Sequence, residues 1–212
     1  MRRFVLALLL LASAAASAAD CEPAALRAEL AARRDADQSA RHAVIADPKD
    51  KAAQARALRA DAGNTAWMRD VITQCGWPKQ SVVGEDGAQS AWLLVQHADM
   101  DPEFQSWAAN RMKQAVFAGE ASGNGLALLV DRNRRLNDLP QVYGMQSYKT
   151  PTGTVRFYDI VNPAELDARR KAIGLPSFQC HALDVSKRNG GAAIEWPAGV
   201  PKAPDACPTT DD

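Results

Sequence analysis

Apolar side chains recur every three to four residues through the N-terminal part of the chain, which is the spacing that places them on one face of a helix. The pattern predicts a first helix over residues 22–46 and a second over about 50–75, with a turn at 47–48 between them. The second helix is expected to break near Gly63, where Asn64 could cap a new helix. The two stretches are predicted to form an antiparallel helical hairpin.

Three further helices are predicted after this hairpin. The third, over residues 85–98, contains a segment at 91–95 that is apolar on every side, which indicates a central position. An aspartate, a proline and a glutamate at 101–103 are a strong start signal for a fourth helix, which ends at Gly119. A fifth helix is predicted over about 125–136.

The spacing changes to a two-residue alternation over residues 141–160. Turn-forming residues at 150–153 divide this stretch, which predicts a β-hairpin with a short turn. The first predicted strand includes 141–146, and Gly144 within it indicates a bulge or a close backbone approach.

Residues 162–165 match a capping box, which predicts a helix that ends at Gly174. The stretch 186–212 is rich in Gly, Pro and Ala and is expected to be an irregular tail. The predicted fold class is therefore mainly α with a small β-hairpin (α+β), a single-domain helical array over residues 20–185.

Residues 1–19 have the composition of a secretory signal peptide. Arg2 and Arg3 are followed by an apolar run at 4–12 and by small residues at 16–18. This run is shorter than the ~20 residues that span a bilayer, and no later segment is more apolar. We expect a periplasmic or secreted protein with no membrane segment after cleavage.

The charge of the chain excludes two classes of partner. Cleavage after Ala19 lowers the 25 basic residues to 23, against 25 acidic ones, so that the net charge is near −2. A chain without a basic surplus lacks the electrostatic footprint for nucleic acid or an anionic membrane. A small polar or anionic ligand is the partner that we expect.

The four cysteines are expected to form two disulfides in an oxidising compartment. Cys21 lies 27 residues before Pro48 and Cys75 lies 27 residues after it, so the two should meet at the open end of the helical hairpin. This pairing leaves Cys180 for Cys207. No C-x-x-C pair is present, which disfavours a zinc site.

His97 is the candidate for acid–base chemistry, because it follows an apolar helix and imidazole titrates near neutrality. A histidine at this position can equally be satisfied by backbone groups of the core, or can interact with the helix dipole. Ligation of a metal by His97 with Asp99 or Asp101 is also conceivable, but the other histidines are not spaced to join it. We predict no metal and no cofactor.

Other polar side chains accompany apolar faces and form a candidate ligand-binding set. Such groups cost several kcal/mol when they are buried unless they are paired, so they require either an internal network or a ligand. Asp37 and Arg41 are four residues apart and could pair on an inward face, or form a solvated ion pair on a helix longer than the core. The set comprises Asp37, Gln38, Arg41, Gln96, Asp131, Arg132, Gln141, Tyr143 and Gln146.

Sequence motifs of several enzyme classes are absent from the chain. It contains no G-x-S-x-G elbow, no phosphate-binding G-x-x-x-x-G-K-[ST] loop and no H-E-x-x-H zinc motif. A thiol nucleophile is not expected if all the cysteines are oxidised. The motifs therefore name no reaction.

Short motifs follow one another in a fixed order along the chain. They are Asp37-Gln38-x-x-Arg41, Gly76-Trp77-Pro78 with Ser81 and Gly84, LLVQHAD at 93–99, Phe104-Gln105, Asp131-Arg132, QVYG-x-Q at 141–146 and RR-x-x-x-GL at 169–175. This series resembles a family of bacterial proteins of unknown function. The resemblance covers about residues 25–180 and departs from the family pattern at Met145, where threonine is expected. It implies a shared polar site without an activity.

Two hypotheses of different class follow from these residues. The first is a binding or accessory domain of the cell envelope that holds its ligand between Arg41, Arg132, Gln96 and Gln141. The second is a hydrolase or lyase in which His97 is the general acid or base, Asp37 or Asp131 orients it, and an arginine stabilises negative charge. A purely structural role for the polar residues is the third alternative.

Overall fold

A computed structural model describes residues 21–202 and residue 207 of the chain. The predicted signal peptide lies outside the described residues. The two N-terminal helices, α1 (Pro23–Ala46) and α2 (Lys51–Cys75), form the predicted antiparallel hairpin. Asp50 caps α2 by accepting hydrogen bonds from the amides of Ala52 and Ala53, and a disulfide between Cys21 and Cys75 closes the open end.

The predicted break in the second helix is wrong, because α2 continues through Gly63 without interruption. Asn64 does not cap a helix but lies buried within it, where its side chain accepts a hydrogen bond from Arg33. A glycine in a helix costs about 1 kcal/mol relative to alanine. Burial of Met68 and Val71 on the same helix outweighs that cost.

Helix α3 (Gln80–Gln96) is central, as its apolar sequence predicts, and it packs against α1, α2, α4 and α5. The predicted start at Glu85 marks the residue after a kink rather than the first turn of the helix. Gly84 adopts a φ of 75° at this kink, a conformation that favours glycine.

Helices α4 (Pro102–Phe117) and α5 (Gly123–Leu136) pack against each other and against α3, and α4 also contacts α2. The predicted cap is confirmed, since the Asp101 carboxylate accepts a hydrogen bond from the Phe104 amide at 2.9 Å. The helical core that these five helices enclose includes Leu30, Met68, Leu94, Phe104, Met112 and Leu129.

The predicted hairpin is present but shorter than expected, with β1 (Ser147–Lys149) antiparallel to β2 (Val155–Phe157). The interpretation of 141–146 as a strand is wrong. Its backbone amides at three positions bond to a side-chain carboxylate instead of a neighbouring strand, and only Gln141 makes a bridge, to Ile160. The close approach expected at Gly144 is confirmed, since a Cβ at this position would lie 2.8 Å from the ring of Phe178.

The C-terminal part is more regular than predicted. A 3-10 turn (Pro163–Glu165) leads to α6 (Leu166–Ala172), and Asn162 provides no side-chain cap because it adopts a left-handed φ of 41°. Helix α7 (Phe178–Arg188) follows, and β3 (Ile194–Glu195) pairs in parallel with β2, inside the stretch predicted to be an irregular tail.

A second, smaller hydrophobic core explains why this C-terminal part has regular structure. Phe157 and Trp196 each pack edge-on against Phe178, and burial of these rings holds the tail on the hairpin. The disulfide between Cys180 and Cys207 ties α7 to the end of the chain, so both predicted disulfides are confirmed.

The predicted fold class, mainly α with a small β part, is confirmed. Two disulfides are typical of proteins from oxidising compartments. None of the described helices is both long enough and apolar enough to cross a membrane.

Candidate functional site

Asp37 and His97 meet where α1 passes the end of α3. The Asp37 side chain is only 1% exposed, and its Oδ2 atom lies 2.9 Å from Nδ1 of His97. A carboxylate can only accept hydrogen bonds, so Nδ1 carries the ring hydrogen and donates it to Asp37. Among the described residues, Nε2 of His97 makes no hydrogen bond, which leaves this atom as an acceptor.

Arg41 connects Asp37 to a second acid, Asp61. Its Nε atom lies 3.3 Å from both carboxylate oxygens of Asp37, and its Nη2 atom donates to Oδ1 of Asp61 at 2.5 Å. Arg41 Nε also lies 2.9 Å from Nδ1 of His97. Both nitrogens carry hydrogens, so each donates to the carboxylate of Asp37 and not to the other nitrogen. Gln38 adds a further hydrogen bond to Asp37 at 2.8 Å.

The two carboxyl groups have pKa values shifted in opposite directions. Burial raises the pKa of Asp37, but the hydrogen bond from His97 and the charge of Arg41 outweigh it, so that the pKa is lowered overall. Burial raises the pKa of Asp61 more than Arg41 lowers it, and the negative charge of Asp37 adds to the increase. Opposed shifts of this kind separate the roles of neighbouring acids in many active sites.

A cleft of about 340 Å³ lies between α2 and the turn from α3 to α4, with His97 and Asp61 in its wall. We call it the His97 cleft. Its other polar residues are Thr65 and the pair of Arg69 and Asp101, whose side chains lie 2.6 Å apart. Apolar residues complete the lining: Leu58, Ala62, Ala66, Ala98 and Met100.

Asp37, Asp61 and His97 also form a set that could hold a metal ion, since one donor atom from each lies within 4.8 Å of the others. One imidazole and two carboxylates suit several divalent metals. The guanidinium of Arg41, however, already bonds to both carboxylates and supplies the positive charge that an ion would bring. The geometry assigns the cationic position to Arg41.

Asp131 lies in a different part of the molecule, fully buried, and organises the irregular segment before β1. Its carboxylate accepts hydrogen bonds from the backbone amides of Val142, Tyr143 and Met145, at 2.6 to 3.1 Å. Burial raises the pKa of Asp131, although these amides oppose the shift. Asp131 therefore holds this segment against α5.

Gln141 completes this clamp from within the segment. Its amide donates to the backbone oxygens of Gln146 and Tyr158 and accepts from the Gln146 amide. Gln141 is fully buried and uses both ends of its amide internally, so it has no free donor for a ligand. The predicted position of a ligand between Gln141 and Arg41 is therefore wrong.

Arg170 supports the same segment from α6, with Nη1 donating to the backbone oxygen of Tyr143 and Nε to that of Pro176. It is 1% exposed, and burial lowers its pKa to about 10. We call Asp131, Gln141 and Arg170, with the segment they hold, the Asp131 clamp. Among the described residues, no hydrogen bond joins this clamp to Asp37, Arg41 or His97.

Arg132 and Gln96 lie outside both groups. Arg132 bonds to Asp99 at 2.5 and 3.1 Å, and Gln105 donates to the same carboxylate. Burial opposes ionisation of Asp99, but these contacts lower its pKa overall. The side-chain oxygen of Gln96 is buried and has no hydrogen-bond partner among the described residues.

The predicted site residues are thus divided. The structure brings together Asp37, Gln38, Arg41 and His97, and it places Asp131, Gln141, Tyr143 and Gln146 in the clamp. Sequence reasoning missed Asp61 and Arg69. A signal for Asp61 existed, because the buried stripe of α2 at Met68 and Asn64 continues at helical spacing to residue 61.

Comparison with known proteins gives a family but no activity. Residues 24–186 match the model of a family of unknown function, DUF6624, and the chain belongs to this family. No curated protein and no solved structure shows a significant match to the chain. The family predicted from the motifs, one of unknown function, agrees with this result.

Proposed function

We propose that the chain is an exported cell-envelope protein that binds a small polar ligand in the His97 cleft. The observation that carries this proposal is the contact between Asp37 and Nδ1 of His97. It fixes the orientation of the ring and leaves Nε2 to accept a hydrogen bond from a ligand. The disulfides and the basic-apolar pattern of residues 1–19 support export.

The lining of the cleft defines the chemistry of the ligand. His97 supplies an acceptor, and Arg69 supplies the N–H donors that its bond to Asp101 leaves unused, whereas the Thr65 hydroxyl donates to the backbone oxygen of Asp61. Asp61 and Asp101 in the wall already pair with Arg41 and Arg69. The rest of the wall is apolar and includes Leu58 and Met100, whose exposed side chains would be covered by a bound molecule. We infer a ligand with an apolar body and a polar end that carries both a donor and an acceptor.

A thermal-shift screen tests this proposal. Amino acids, sugars, nucleosides and organic acids are added separately to the wild-type protein and to His97→Gln and Arg69→Gln variants. A ligand at about 100 times its Kd stabilises a protein by about 2.7 kcal/mol, which raises the Tm by roughly 5–10 °C at this chain length. We expect at least one class to stabilise only the wild type.

The matched control is His42→Gln, since His42 is an exposed histidine on α1 outside the cleft. It should retain the full shift. If every compound that stabilises the wild type stabilises His97→Gln equally, the ligand does not bind in this cleft and the proposal is wrong.

Acid–base catalysis, in a hydrolase or lyase, is a second candidate function. The opposed pKa shifts of Asp37 and Asp61 beside His97 favour it. In this reaction Nε2 of His97 would accept a proton from water or substrate, and ionised Asp37 would stabilise the imidazolium that forms. Asp61 in its protonated form could donate to a leaving group.

A panel of chromogenic esters, phosphoesters and glycosides separates the two functions. Catalysis predicts turnover that falls at least 100-fold in His97→Gln while the variant remains folded, and that persists in His42→Gln. Binding alone predicts a ligand-dependent Tm shift with no turnover of any substrate. Turnover that is equal in both variants would exclude His97 as the acid–base residue.

A further inference from the structure

A second cavity, of about 270 Å³, lies between α4 and α5 and is separate from the His97 cleft. We call it the Lys113 pocket. Tyr143 and Val142, from the segment that Asp131 holds, form part of its wall. None of the residues that line it lines the His97 cleft.

The charge of this pocket is one-sided. Among the described residues, its lining contains two basic ones, Lys113 and Arg134, and no acidic one. Within the part of the chain that the structure describes, neither base forms an ion pair. The His97 cleft differs, because Asp61 and Asp101 each pair with an arginine there.

Arg134 is held in place without losing its capacity to bind an anion. Its Nε atom donates to the backbone oxygen of Pro140 at 2.5 Å. This bond fixes the guanidinium at the end of α5 and leaves the two terminal nitrogens to donate. A guanidinium with two parallel N–H groups matches the geometry of a carboxylate.

The buried amide side chains of the wall, Gln105 and Asn133, are satisfied within the protein. The amide of Asn133 donates to Gln105 at 3.0 Å and to the backbone oxygen of Pro102 at 2.9 Å. Asn133 also accepts a hydrogen bond from Ser106. The wall therefore requires no ligand for its amides, and the two cations are the groups that a ligand would pair.

The remaining surface of the pocket is apolar, with Leu126 and Val130 from α5 and the ring of Tyr143. Burial raises the pKa of the Tyr143 phenol, so the ring presents a neutral face. Two hydrogen bonds of the Asp131 clamp hold the backbone that carries this ring. Asp131 accepts one from the Tyr143 amide, and Arg170 donates one to the Tyr143 carbonyl oxygen.

We propose that the Lys113 pocket binds a small organic carboxylate with an apolar body. The carboxylate pairs with Arg134 and Lys113 at the rim, and the apolar part lies against Val130 and Tyr143. The volume of about 270 Å³ lies just below the roughly 300–1,000 Å³ of typical ligand pockets, which fits a compact acid. This binding is independent of the function proposed for the His97 cleft.

A titration with benzoate tests the proposal. It is followed in ¹H–¹⁵N NMR spectra of the chain from residue 20 onward, which is the form expected after signal-peptide cleavage. We expect saturable shifts of the amides of Ala109, Val142 and Tyr143. Lys113→Gln and Arg134→Gln should each weaken binding about 5- to 10-fold. Benzamide, which has the same body without the charge, should bind at least 10-fold more weakly than benzoate.

Arg111→Gln is the matched control. Arg111 is an exposed cation on α4, the helix of Lys113, but it does not line the pocket. It should change the affinity less than 2-fold. The proposal is overturned if benzoate shifts none of these amides, if all three variants bind equally, or if benzamide binds as tightly as benzoate. Inorganic phosphate binding more tightly than benzoate would also overturn it, since the apolar wall would then have no role.

Discussion

Nδ1 of His97 lies 2.9 Å from Oδ2 of Asp37, although the two residues are 60 positions apart in the chain. Packing of α1 against α3 creates this contact, and Arg41 extends it to Asp61 on α2. Three helices thus contribute to one charged cluster at the edge of the His97 cleft. The stability of the hairpin and the properties of the site should depend on the same side chains.

Replacement of Asp37 by asparagine should destabilise the protein strongly. It removes the charge that pairs with Arg41 and replaces one of the two acceptor oxygens beside His97 with an N–H donor, and it leaves these partners part-buried. Breaking a buried pair from one side costs about 3–5 kcal/mol, and the partial exposure of Arg41 places the expected loss at about 2–4 kcal/mol. Urea unfolding measures this loss.

Asp35→Asn provides the control on the same helix, since the Asp35 side chain is 69% exposed in its pair with Arg34. Its effect should be within about 0.5 kcal/mol. Equal effects of the two substitutions would show that the contact of Asp37 with His97 contributes nothing to stability.

Asp37 and Asp61 should contribute to acid stability with opposite signs. The pKa of Asp37 is lowered in the folded protein, so its contribution is present above about pH 4 and is lost as the pH falls through the folded-state pKa. The pKa of Asp61 is raised, so its contribution is full below about pH 4 and is lost as the pH rises through the folded-state pKa.

Unfolding free energies of the wild type, Asp37→Asn and Asp61→Asn, measured from pH 3 to pH 7, test this difference. The advantage of the wild type over Asp37→Asn should grow as the pH rises. Its advantage over Asp61→Asn should shrink over the same range. Parallel pH profiles for the two variants would contradict the opposed shifts.

Asp131→Asn should loosen the segment before β1. The amide of asparagine brings N–H donors toward three backbone amides that need an acceptor. A buried, unsatisfied group costs about 1–3 kcal/mol, so we expect a loss of roughly 3 kcal/mol overall. Hydrogen exchange should show loss of protection at the Tyr143 and Met145 amides.

The control for this substitution is Asp138→Asn. Asp138 is exposed and adopts a φ of 55°, which asparagine tolerates. It should leave stability and exchange unchanged. Retained protection of Tyr143 and Met145 in Asp131→Asn would show that the carboxylate does not hold the segment.

The disulfide of the helical hairpin should contribute more than the C-terminal one. The Cys21–Cys75 bridge spans 54 residues and the Cys180–Cys207 bridge spans 27. In the chain-entropy model their removal costs about 4 and about 3.5 kcal/mol, respectively. Paired serine substitutions at each bridge, compared by urea unfolding, check both values, and a larger loss at the C-terminal bridge would contradict this order.

The cysteine positions in the predicted helical hairpin gave both disulfides. Local patterns predicted helices α1 to α6, but not α7, and the Asp101 cap, because helical spacing and capping depend on neighbouring residues. They also showed which polar residues accompany apolar faces. They failed over residues 141–146, where alternation indicates a strand but Asp131 takes the amides. A distant carboxylate that replaces a neighbouring strand leaves no mark in the local pattern.

The site itself was only partly predictable. Asp37, Gln38, Arg41 and His97, which the sequence named as candidates, lie together in the structure, but no spacing shows that α2 adds Asp61 or that Asp131 lies in another cluster. The C-terminal strand was missed for a similar reason. Its order depends on Trp196 packing against Phe178 and on the disulfide to Cys207, and neither contact is local.

The hydrogen on the His97 ring is the most direct test of the central claim, that Asp37 holds Nδ1 and leaves Nε2 for the cleft. Long-range ¹H–¹⁵N NMR spectra of the neutral imidazole distinguish the two nitrogens, with Asp37→Asn as the comparison. We predict that the hydrogen resides on Nδ1 in the wild type and that this preference weakens in the variant. A wild-type ring with its hydrogen on Nε2 would contradict the claim.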